Sequence, residues 1–539
     1  MIWSGPGRAV ARSFRVAASR PLLAAAAVFG LSLAGSIGAG MLDGVRPPGV
    51  HDEFSYLLAA ETFASGHLAE KSPPLWRHFE TFHEIVHPVY ASKYPPGQSI
   101  ALALGLLLTG QAIWGVWLSL AAACVAIWWA LRAVLPARWA LVGGLLSTLR
   151  FGFFGYWAQS YWGGAVAALG GAIAMGAALR LVRRPSPIDA ALFAVGLGIC
   201  GNTRPYEGAI LALILVTWTV VRLRRAGSAG MRAAVAFFAA ALPIAAWMGF
   251  YNYQITGKPW ELPYQLYERQ YQVVNPVVFL PRINRAAPSI PDGPLRRYWS
   301  REYDRDLAPL RVGGFVHSLA RKAQRFWSAF IGAIFAIPAL VALFYWRPRT
   351  RLLTLWIAIF FVGLTLEHFF FDHYAAPASA ILMALITAGL AETWGIRWRR
   401  FPAGKCTVAA VCIACAGHVA GTAVYHVVTH RNLDRTFPAM RARVQRNLDS
   451  MGGKQLVLVR YSANHDVHQE WVFNRADIEN APTVWARCLN PDSDQDLIRH
   501  FANRTVWLFQ PDARPPQLQL LSAEASAAAS VRDVNPLLP

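Results

Sequence analysis

The chain has 539 residues, of which 55% are hydrophobic and only 15% are charged. Soluble domains average about 25% charged residues, so this composition argues against a string of ordinary soluble domains. Apolar blocks of helix length recur between residues 21 and 428, which is typical of a polytopic α-helical membrane protein. The formal net charge of +21 suggests a nucleic-acid-binding protein as an alternative. The positions of the cations decide against nucleic acid as a partner.

Eleven apolar segments are predicted to cross the membrane. The first follows a basic arm, residues 8–20, that contains no acid. About 20 apolar residues are long for the hydrophobic part of a signal peptide, so we predict an uncleaved anchor. The predicted segments are 21–41, 112–131, 139–158, 163–181, 187–201, 208–222, 233–252, 327–345, 351–366, 375–393 and 407–427.

The excess of cations over acids lies in the N-terminal arm and in the connectors that follow alternate segments, which together hold 20 cations and only two acids, Asp189 and Glu392. The positive-inside rule therefore places the N-terminus and these connectors in the cytoplasm and the C-terminus outside. This arrangement requires residues 97–110 to lie on the outer surface, because a helix of that length reaches only about 21 Å, against roughly 30 Å of hydrocarbon. The cations of the connectors are Arg132, Arg138, Arg180, Arg183, Arg184, Arg222, Arg224, Arg225, Arg232, Arg347, Arg349, Arg351, Arg397, Arg399, Arg400 and Lys405.

The predicted division is a transmembrane domain, residues 1–428, followed by an extracytoplasmic domain, residues 429–539. Two further outer segments, 42–113 and 254–325, are rich in proline and aromatic residues. We predict that both segments fold against the membrane surface as parts of the transmembrane domain.

The last outer segment is predicted to be a small α/β domain. Residues 454–460 and 505–510 have the composition of strands, and residues 494–502 form a helix with an Asp-rich start. The tail beyond Leu521 is rich in alanine and serine, which predicts disorder. Of the six cysteines only Cys488 lies in this segment, so the domain has no intramolecular disulfide framework.

Two adjacent carboxylates, Asp52 and Glu53, begin an amphipathic helix just after the first span. Neighbours on a helix point about 100° apart, so one side chain can face a cavity while the other caps or pairs. Either the pair serves acid–base catalysis, or it complements the positive end of the helix dipole. Later in the same segment Lys93 precedes Pro95 and Pro96. Its ammonium group either binds a lipid phosphate or snorkels to the headgroups.

Several motifs occur in an order that resembles the GT-C glycosyltransferases. The likeness is greatest to the family 39-like group of protein O-mannosyltransferases and aminoarabinose transferases, and it covers roughly residues 20–395. Tyr94 stands between the lysine and the two prolines, and His373 stands where this group usually has arginine. The motifs are the carboxylate pair at 52–53, the helix pattern of 59–68, the Lys-x-Pro-Pro turn at 93–96, the turn at 202–206 and the Tyr-x-x-Pro element at 373–377.

The resemblance implies an all-α polytopic membrane enzyme of about eleven spans with a GT-C-like fold. It implies transfer of a hexosyl or pentosyl group from a polyprenyl-phosphate donor, with inversion, at the outer face of a bacterial cytoplasmic membrane. The acceptor is a lipid, a glycan or a protein. In this arrangement Asp52 is the catalytic base and Glu53 its helper. The candidates for binding the donor phosphate are Lys93, Arg204, His373 and Tyr374.

A metal site in the first outer segment is a further possibility. His83 and His87 are four residues apart, and so are Glu80 and Glu84, which would suit a metal on a helix. Pro88 argues that any such helix ends there, and histidines near lipid headgroups are the alternative. We assign no metal ligand and no cofactor, although a divalent metal stays possible.

Three other features lie outside these motifs. The Tyr-Trp-Gly-Gly sequence at 161–164 suits an interfacial anchor with a helix-packing glycine pair. Arg150 lies inside a predicted span, so either it lines a cavity or the span ends earlier. The polar sequence 465–471 either touches an acceptor or forms a turn after a strand.

The alternative function is a transporter or flippase of lipid-linked saccharides. Such proteins are commonly built from related halves, and no internal repeat is visible in the sequence. The chain also lacks a Walker loop, a GxGxxG motif and an HExxH motif. ATP-driven transport therefore has no support within this chain.

Overall fold

The computed structural model of the protein describes residues 5–271, 298, 312–345, 347–429 and 436–521. Most of the second outer segment and the tail predicted to be disordered lie outside these residues. The helices are α1 (Gly5–Ser19), α2 (Pro21–Asp43), α3 (His51–Ala64), α4 (Pro96–Thr109), α5 (Ile113–Leu131), α6 (Ala137–Phe151), α7 (Ala165–Arg183), α8 (Pro187–Gly201), α9 (Pro205–Leu223), α10 (Gly227–Thr256), α11 (Pro263–Tyr271), α12 (Val312–Phe326), α13 (Ala336–Phe344), α14 (Pro348–Thr365), α15 (Ser379–Trp394), α16 (Ala403–Thr429), α17 (Phe437–Ser450) and α18 (Pro491–His500). The strands are β1 (Glu70–Lys71), β2 (Glu84–Ile85), β3 (Val89–Ser92), β4 (Gln455–Val459), β5 (Thr483–Arg487), β6 (Thr505–Gln510) and β7 (Gln517–Leu520).

The predicted polytopic helical architecture is confirmed. Each of the eleven predicted segments overlaps a helix. Among the described residues, 8 helices are long and apolar enough to cross a membrane. A ninth span arises if the pair 313–331 and Ala336–Phe344, bent by 102°, crosses as one.

Two predicted spans are shorter than expected. Helices α6 and α8 have 15 residues each, which gives about 22 Å of helix against roughly 30 Å of hydrocarbon. The span predicted at 139–158 is wrong at its C-terminal end, because the helix stops at Phe151. Gly152 is extended and Phe153 has a φ of 55°, so the helical hydrogen-bond pattern cannot continue through them.

Small residues bring the central helices together. Among the candidate spans, α7 and the segment Asp372–Trp394 are the most buried, at 78% and 83%. A Cβ atom added to Gly171 of α7 would overlap the carbonyl group of Pro377. Only glycine allows this approach, which fixes residues 373–377 against the centre of the bundle.

The short helix predicted at 97–110 is present as α4, with 14 residues. It packs against α5 so closely that a Cβ atom on Gly115 would overlap the Ala101 backbone. Its first turn follows the loop that carries Lys93, so packing of α4 positions that loop.

The C-terminal region is the predicted α/β domain. Its sheet has the order β5-β4-β6-β7, in which β4 pairs in parallel with β5 and β6, and β7 is antiparallel to β6. Strands β4 and β6 occupy the predicted positions. The predicted helix begins earlier, at Pro491, because the Asn490 side chain accepts a hydrogen bond from the backbone N–H of Ser493 and caps it.

The first outer segment folds against this C-terminal domain. Its α3 and the antiparallel sheet β1-β3-β2 share an apolar core with the domain, in which Leu58 and Tyr90 pack with Leu456 and Leu497. His78 contacts the domain through both ring nitrogens, at 2.8 Å from the Arg487 carbonyl oxygen and 2.8 Å from Ser493 Oγ. The first outer segment and the C-terminal domain therefore lie at one end of the bundle, which we call the site end.

Candidate active site

Asp52 is the accessible carboxylate of the predicted pair. It lies in the first turn of α3, and its side chain is 21% exposed. The Tyr94 hydroxyl donates a hydrogen bond to Oδ1 of Asp52. Nε2 of His83 lies 3.8 Å from Oδ2. The Tyr94 hydroxyl thus orients a carboxylate that solvent can still reach, and the His83 ring lies beside it.

Glu53 is bound by backbone groups on both of its oxygens. Oε2 accepts from the N–H groups of Gly49 at 2.7 Å and Val50 at 3.3 Å, and Oε1 accepts from the N–H of Tyr161 at 2.9 Å. Burial raises the pKa of Glu53, and these hydrogen bonds oppose the rise. We therefore propose that Glu53 anchors the start of α3 to the loop before α7, in place of the helper role predicted from the sequence.

Replacing Glu53 tests this role. Glu53→Ala leaves three backbone N–H groups unpaired, and at about 1 kcal/mol or more for each we expect a markedly lower melting temperature. Glu53→Gln keeps one acceptor oxygen and is expected to fold, with turnover per folded molecule close to wild type. Melting by intrinsic fluorescence, together with turnover, provides the check. A folded Glu53→Gln protein as inactive as Asp52→Asn would restore the helper role.

Lys93 is a buried cation surrounded by phenol rings. Its Nζ lies 5.2, 5.5 and 4.8 Å from the ring centroids of Tyr94, Tyr264 and Tyr267, within cation–π range. Burial lowers the pKa of Lys93 to about 8, while the charge of Asp52 opposes the change. Two of the three rings come from α11, which the sequence did not connect to Lys93.

Arg204 has an unused donor. Its Nε lies 3.1 Å from Oε1 of Glu207, and the guanidinium carbon lies 3.8 Å from the ring centroid of Tyr374. Nη2 is buried and has no hydrogen-bond partner among the described residues. Because arginine stays charged, the buried and unpaired Nη2 of Arg204 can donate hydrogen bonds to an anion.

The sequence motifs meet at the site end. The Gly97 N–H, just after the Lys-x-Pro-Pro turn, donates to the Asn202 carbonyl oxygen at 2.7 Å. A Cβ atom on Gly97 would overlap Oγ1 of Thr203. The turn that carries Lys93 and the turn that carries Arg204 are therefore in direct contact.

Tyr156 connects His373 to this group. Its hydroxyl lies 2.7 Å from Nδ1 of His373. Burial raises the pKa of Tyr156, the charge of Asp52 raises it further, and the charge of Arg204 opposes the rise. The Tyr156 hydroxyl therefore lies within electrostatic range of both the predicted base and the predicted phosphate ligand.

Residues 152–164 were not predicted to belong to the site. The Trp162 ring centroid lies 5.1 Å from that of His373, and Gly163 and Gly164 have φ values of 100° and 119°. These backbone conformations favour glycine. The Gly-Gly pair after two aromatic residues is the sequence signal for this turn, and the interfacial-anchor explanation does not account for its contacts.

The helix proposed for a metal site is absent. Residues 84–85 form strand β2, and His83 has a φ of 64°, so residues four apart do not share a face. Oε2 of Glu84 accepts from the Tyr90 hydroxyl, and His87 stacks on Trp76. Among the described residues, no group of three His, Cys, Asp or Glu side chains has an arrangement that could hold a metal ion.

Arg150 lies in the last turn of α6, and both of its sequence explanations hold in part. Its Nη2 donates to the Ser328 carbonyl oxygen and, at 2.5 Å, to that of Ala329. It also lines a cavity of about 270 Å³ together with Tyr156 and Asp372. Arg150 therefore stabilises the break between α12 and α13 beside the site.

The polar sequence 465–471 is mainly structural. Nδ1 of His465 lies 2.7 Å from Asp512, and Oε2 of Glu470 accepts from Arg487 at 2.8 Å. His468 is exposed, and its ring lies 6.1 Å from that of His51, the neighbour of Asp52. Of the residues in this polar sequence, His468 therefore lies at the candidate site.

Comparison with known proteins identifies the fold. No family model and no curated protein matches the sequence. The structure is similar to ArnT from Cupriavidus metallidurans in the apo state, with a TM-score of 0.52 and 15% identity over 88% of this chain and 90% of that chain. The Archaeoglobus fulgidus oligosaccharyltransferase in the apo form gives a TM-score of 0.48 at 13% identity over 90% of this chain and 69% of that chain. At this identity the likeness to ArnT shows the fold alone, and the chain is a polytopic membrane protein with the GT-C fold.

Proposed function

We propose that the chain is a membrane glycosyltransferase. It transfers a sugar from a polyprenyl-phosphate donor to an acceptor hydroxyl at the outer face of a bacterial cytoplasmic membrane. The observation that carries the proposal is the site itself. An accessible carboxylate, Asp52, lies near the buried Lys93, and the turn that carries Lys93 contacts the turn that carries the buried Arg204.

The residues supply the two forms of assistance that this transfer needs. Asp52 accepts the proton of the acceptor hydroxyl as its oxygen bonds to the anomeric carbon. The bond between that carbon and the phosphate oxygen breaks, and its electron pair stays on the phosphate. Arg204 and Lys93 stabilise the second negative charge that develops there. Inversion at the anomeric carbon follows from a single displacement.

His373 and Tyr374 have different parts in the proposal. Tyr374 packs under the guanidinium group of Arg204 and orients it. His373 is 2% exposed and contacts Tyr156, so we propose that it contributes to the phosphate pocket through this contact. The group that the sequence resembles usually has an arginine at position 373. Neither His373 nor Tyr374 supplies the positive charge of that arginine.

The membrane orientation is also part of the proposal. The arginine-rich connectors between spans lie at the end of the bundle opposite the site end, and the positive-inside rule places them in the cytoplasm. The site end and the C-terminal domain then face outward. A polyprenyl-phosphate donor suits this location because its leaving group stays in the bilayer and no nucleotide is required.

The pKa of Lys93 predicts a pH dependence. Protonated Lys93 attracts the donor phosphate, and the charge is lost as pH rises through about 8. We expect the donor KM to be flat well below pH 8 and, above it, to rise by up to about tenfold per pH unit. Lys93→Arg, which keeps its charge, is expected to remove this dependence. An identical pH profile in both proteins would contradict the role of Lys93.

Transfer assays test the proposed function. The protein in nanodiscs is incubated with defined polyprenyl-phosphate hexoses and pentoses and with an extract of bacterial envelope lipids, glycans and proteins. We expect release of polyprenyl phosphate from one donor and a matching mass increase in one acceptor fraction. Movement of intact donor across the bilayer without loss of its sugar would instead support a flippase.

A further inference from the structure

Two histidines beside Asp52 have ring nitrogens without partners. His51 and His83 are each 7% exposed. Nε2 of His51 and Nδ1 of His83 are buried and have no hydrogen-bond partner among the residues described. The two ring centroids are 5.9 Å apart. Buried polar atoms nearly always have a hydrogen-bond partner. Two neighbouring ring nitrogens without one therefore indicate a ligand that hydrogen-bonds to both.

The direction of the His83 ring is set by its backbone. His83 has a φ of 64°, which residues with a Cβ atom adopt infrequently. Its carbonyl oxygen accepts from Ser55 Oγ at 2.6 Å and from the Lys93 N–H at 3.1 Å, and its own N–H donates to the Tyr267 hydroxyl at 2.9 Å. These hydrogen bonds hold the conformation that directs Nε2 toward Asp52. Backbone strain held in this way is characteristic of functional sites.

Both imidazoles are neutral at pH 7. Burial lowers the pKa of His51 to about 4, although Glu470 and Asp52 oppose the change. Burial also lowers the pKa of His83, and the charge of Lys93 adds to the effect. A neutral imidazole has one donor and one acceptor nitrogen. The pair therefore suits hydroxyl groups better than it suits an anion.

Aromatic rings from three parts of the chain surround His51. Phe82 stacks on it, with centroids 4.2 Å apart. The ring of Tyr298 lies 4.9 Å from that of Phe82 and 6.2 Å from that of His468. His468 lies 6.1 Å from His51 and is exposed. Flat rings beside hydroxyl-binding nitrogens match a sugar, which presents both a C–H face and several hydroxyls.

We propose that His51, His83 and His468 bind the acceptor and that the acceptor is a saccharide. Two neighbouring hydroxyls contact the free nitrogens of His51 and His83, and a third lies against Asp52. Its oxygen bonds to the anomeric carbon of the donor, its proton passes to Asp52, and the polyprenyl phosphate leaves with the electron pair. This inference rests on the proposed function and specifies its acceptor.

The same features disfavour the other acceptor classes. A serine or threonine side chain brings one hydroxyl, which would be used by Asp52, so it has no further hydroxyl for the two imidazole nitrogens. A phosphate-bearing acceptor would bring a second anion beside the donor phosphate and the Asp52 carboxylate, and the two neutral rings would not offset its charge. A saccharide satisfies both the nitrogens and the carboxylate.

The test measures the acceptor KM separately from the donor KM. The probes are octyl glucoside, octyl galactoside and octyl mannoside, with an acetylated threonine peptide amide as the protein-like acceptor. We expect at least one glycoside to accept sugar from the donor and the peptide to accept none. His51→Gln and His83→Gln each remove one hydrogen bond and are expected to raise the glycoside KM by about tenfold. The donor KM should not change.

The variant His468→Ala tests the same site without disturbing the fold, because the His468 side chain is exposed. We expect a rise in the glycoside KM of about three- to tenfold, with an unchanged donor KM. The matched control is His500→Ala, on α18 of the same domain, where the side chain contacts Glu479. This variant is expected to behave as wild type.

The outcomes are distinguishable from failure of the proposed function. If the wild-type protein releases polyprenyl phosphate from no donor, the proposed function itself is wrong. If it hydrolyses a donor but transfers to none of the glycosides, or prefers the peptide, the saccharide acceptor is wrong. A His468→Ala protein whose donor KM rises together with its acceptor KM, or whose glycoside KM is unchanged, would overturn the assignment of the site.

Discussion

Asp52→Asn is expected to lower sugar transfer by about a thousandfold, the middle of the range for a lost general base. Asparagine has nearly the same shape and can still accept the Tyr94 hydrogen bond, so the loss reflects proton transfer and not folding. The donor KM should change little, because Asp52 does not contact the phosphate. Turnover of purified protein in nanodiscs, normalised to the folded fraction, is the measurement.

Two variants serve as controls for that result. Asp496→Asn changes an exposed aspartate, paired with Arg499 in the C-terminal domain, and should leave turnover unchanged. Tyr94→Phe removes the hydroxyl that orients Asp52 and is expected to give an intermediate loss. A folded Asp52→Asn protein with full transfer activity would show that another group takes the proton.

Arg204→Gln is expected to lower kcat by about a hundredfold or more and to weaken donor binding much less. The departing phosphate gains a second negative charge, so a buried guanidinium helps more in the transition state than in the ground state. Single-turnover kinetics with saturating donor separate the two effects. A variant that changed only the donor KM would contradict this role.

The ion pair with Glu207 requires its own control. Arg204→Gln alone leaves a buried carboxylate without its partner, which destabilises the fold. The double variant Arg204→Gln, Glu207→Gln removes both charges, and we expect it to recover the melting temperature but not kcat. Arg222→Gln removes an exposed arginine at the other end of α9 and should leave both quantities unchanged. Recovery of kcat in the double variant would show that Arg204 acts only on stability.

The spans were predictable because the bilayer leaves few choices. A segment that crosses it must be apolar, helical and about 20 residues long, and the short connectors with an excess of cations must lie on one side. Prediction failed where a helix ends for local reasons, as at Gly152 and Phe153. There the turn that reaches the site resembles an apolar span in composition.

The carboxylate pair and the order of the motifs were visible in the sequence, but the contacts of the pair were not. Glu53 accepts from Tyr161, which is 108 residues away, and Lys93 is buried by rings from α11. Such contacts depend on tertiary packing, so no local pattern shows them. The unpaired nitrogens of His51 and His83 also result from tertiary packing, so the sequence alone does not show them.

Determining the structure of the protein in nanodiscs with bound undecaprenyl phosphate tests the central claim most directly. We predict phosphate density in contact with Nη2 of Arg204 and near Nζ of Lys93, in a cavity that also contains Asp52. Phosphate bound at the opposite end of the bundle, among Arg222, Arg224 and Arg225, or at the site end but remote from Asp52, would contradict the assignment of this site to sugar transfer.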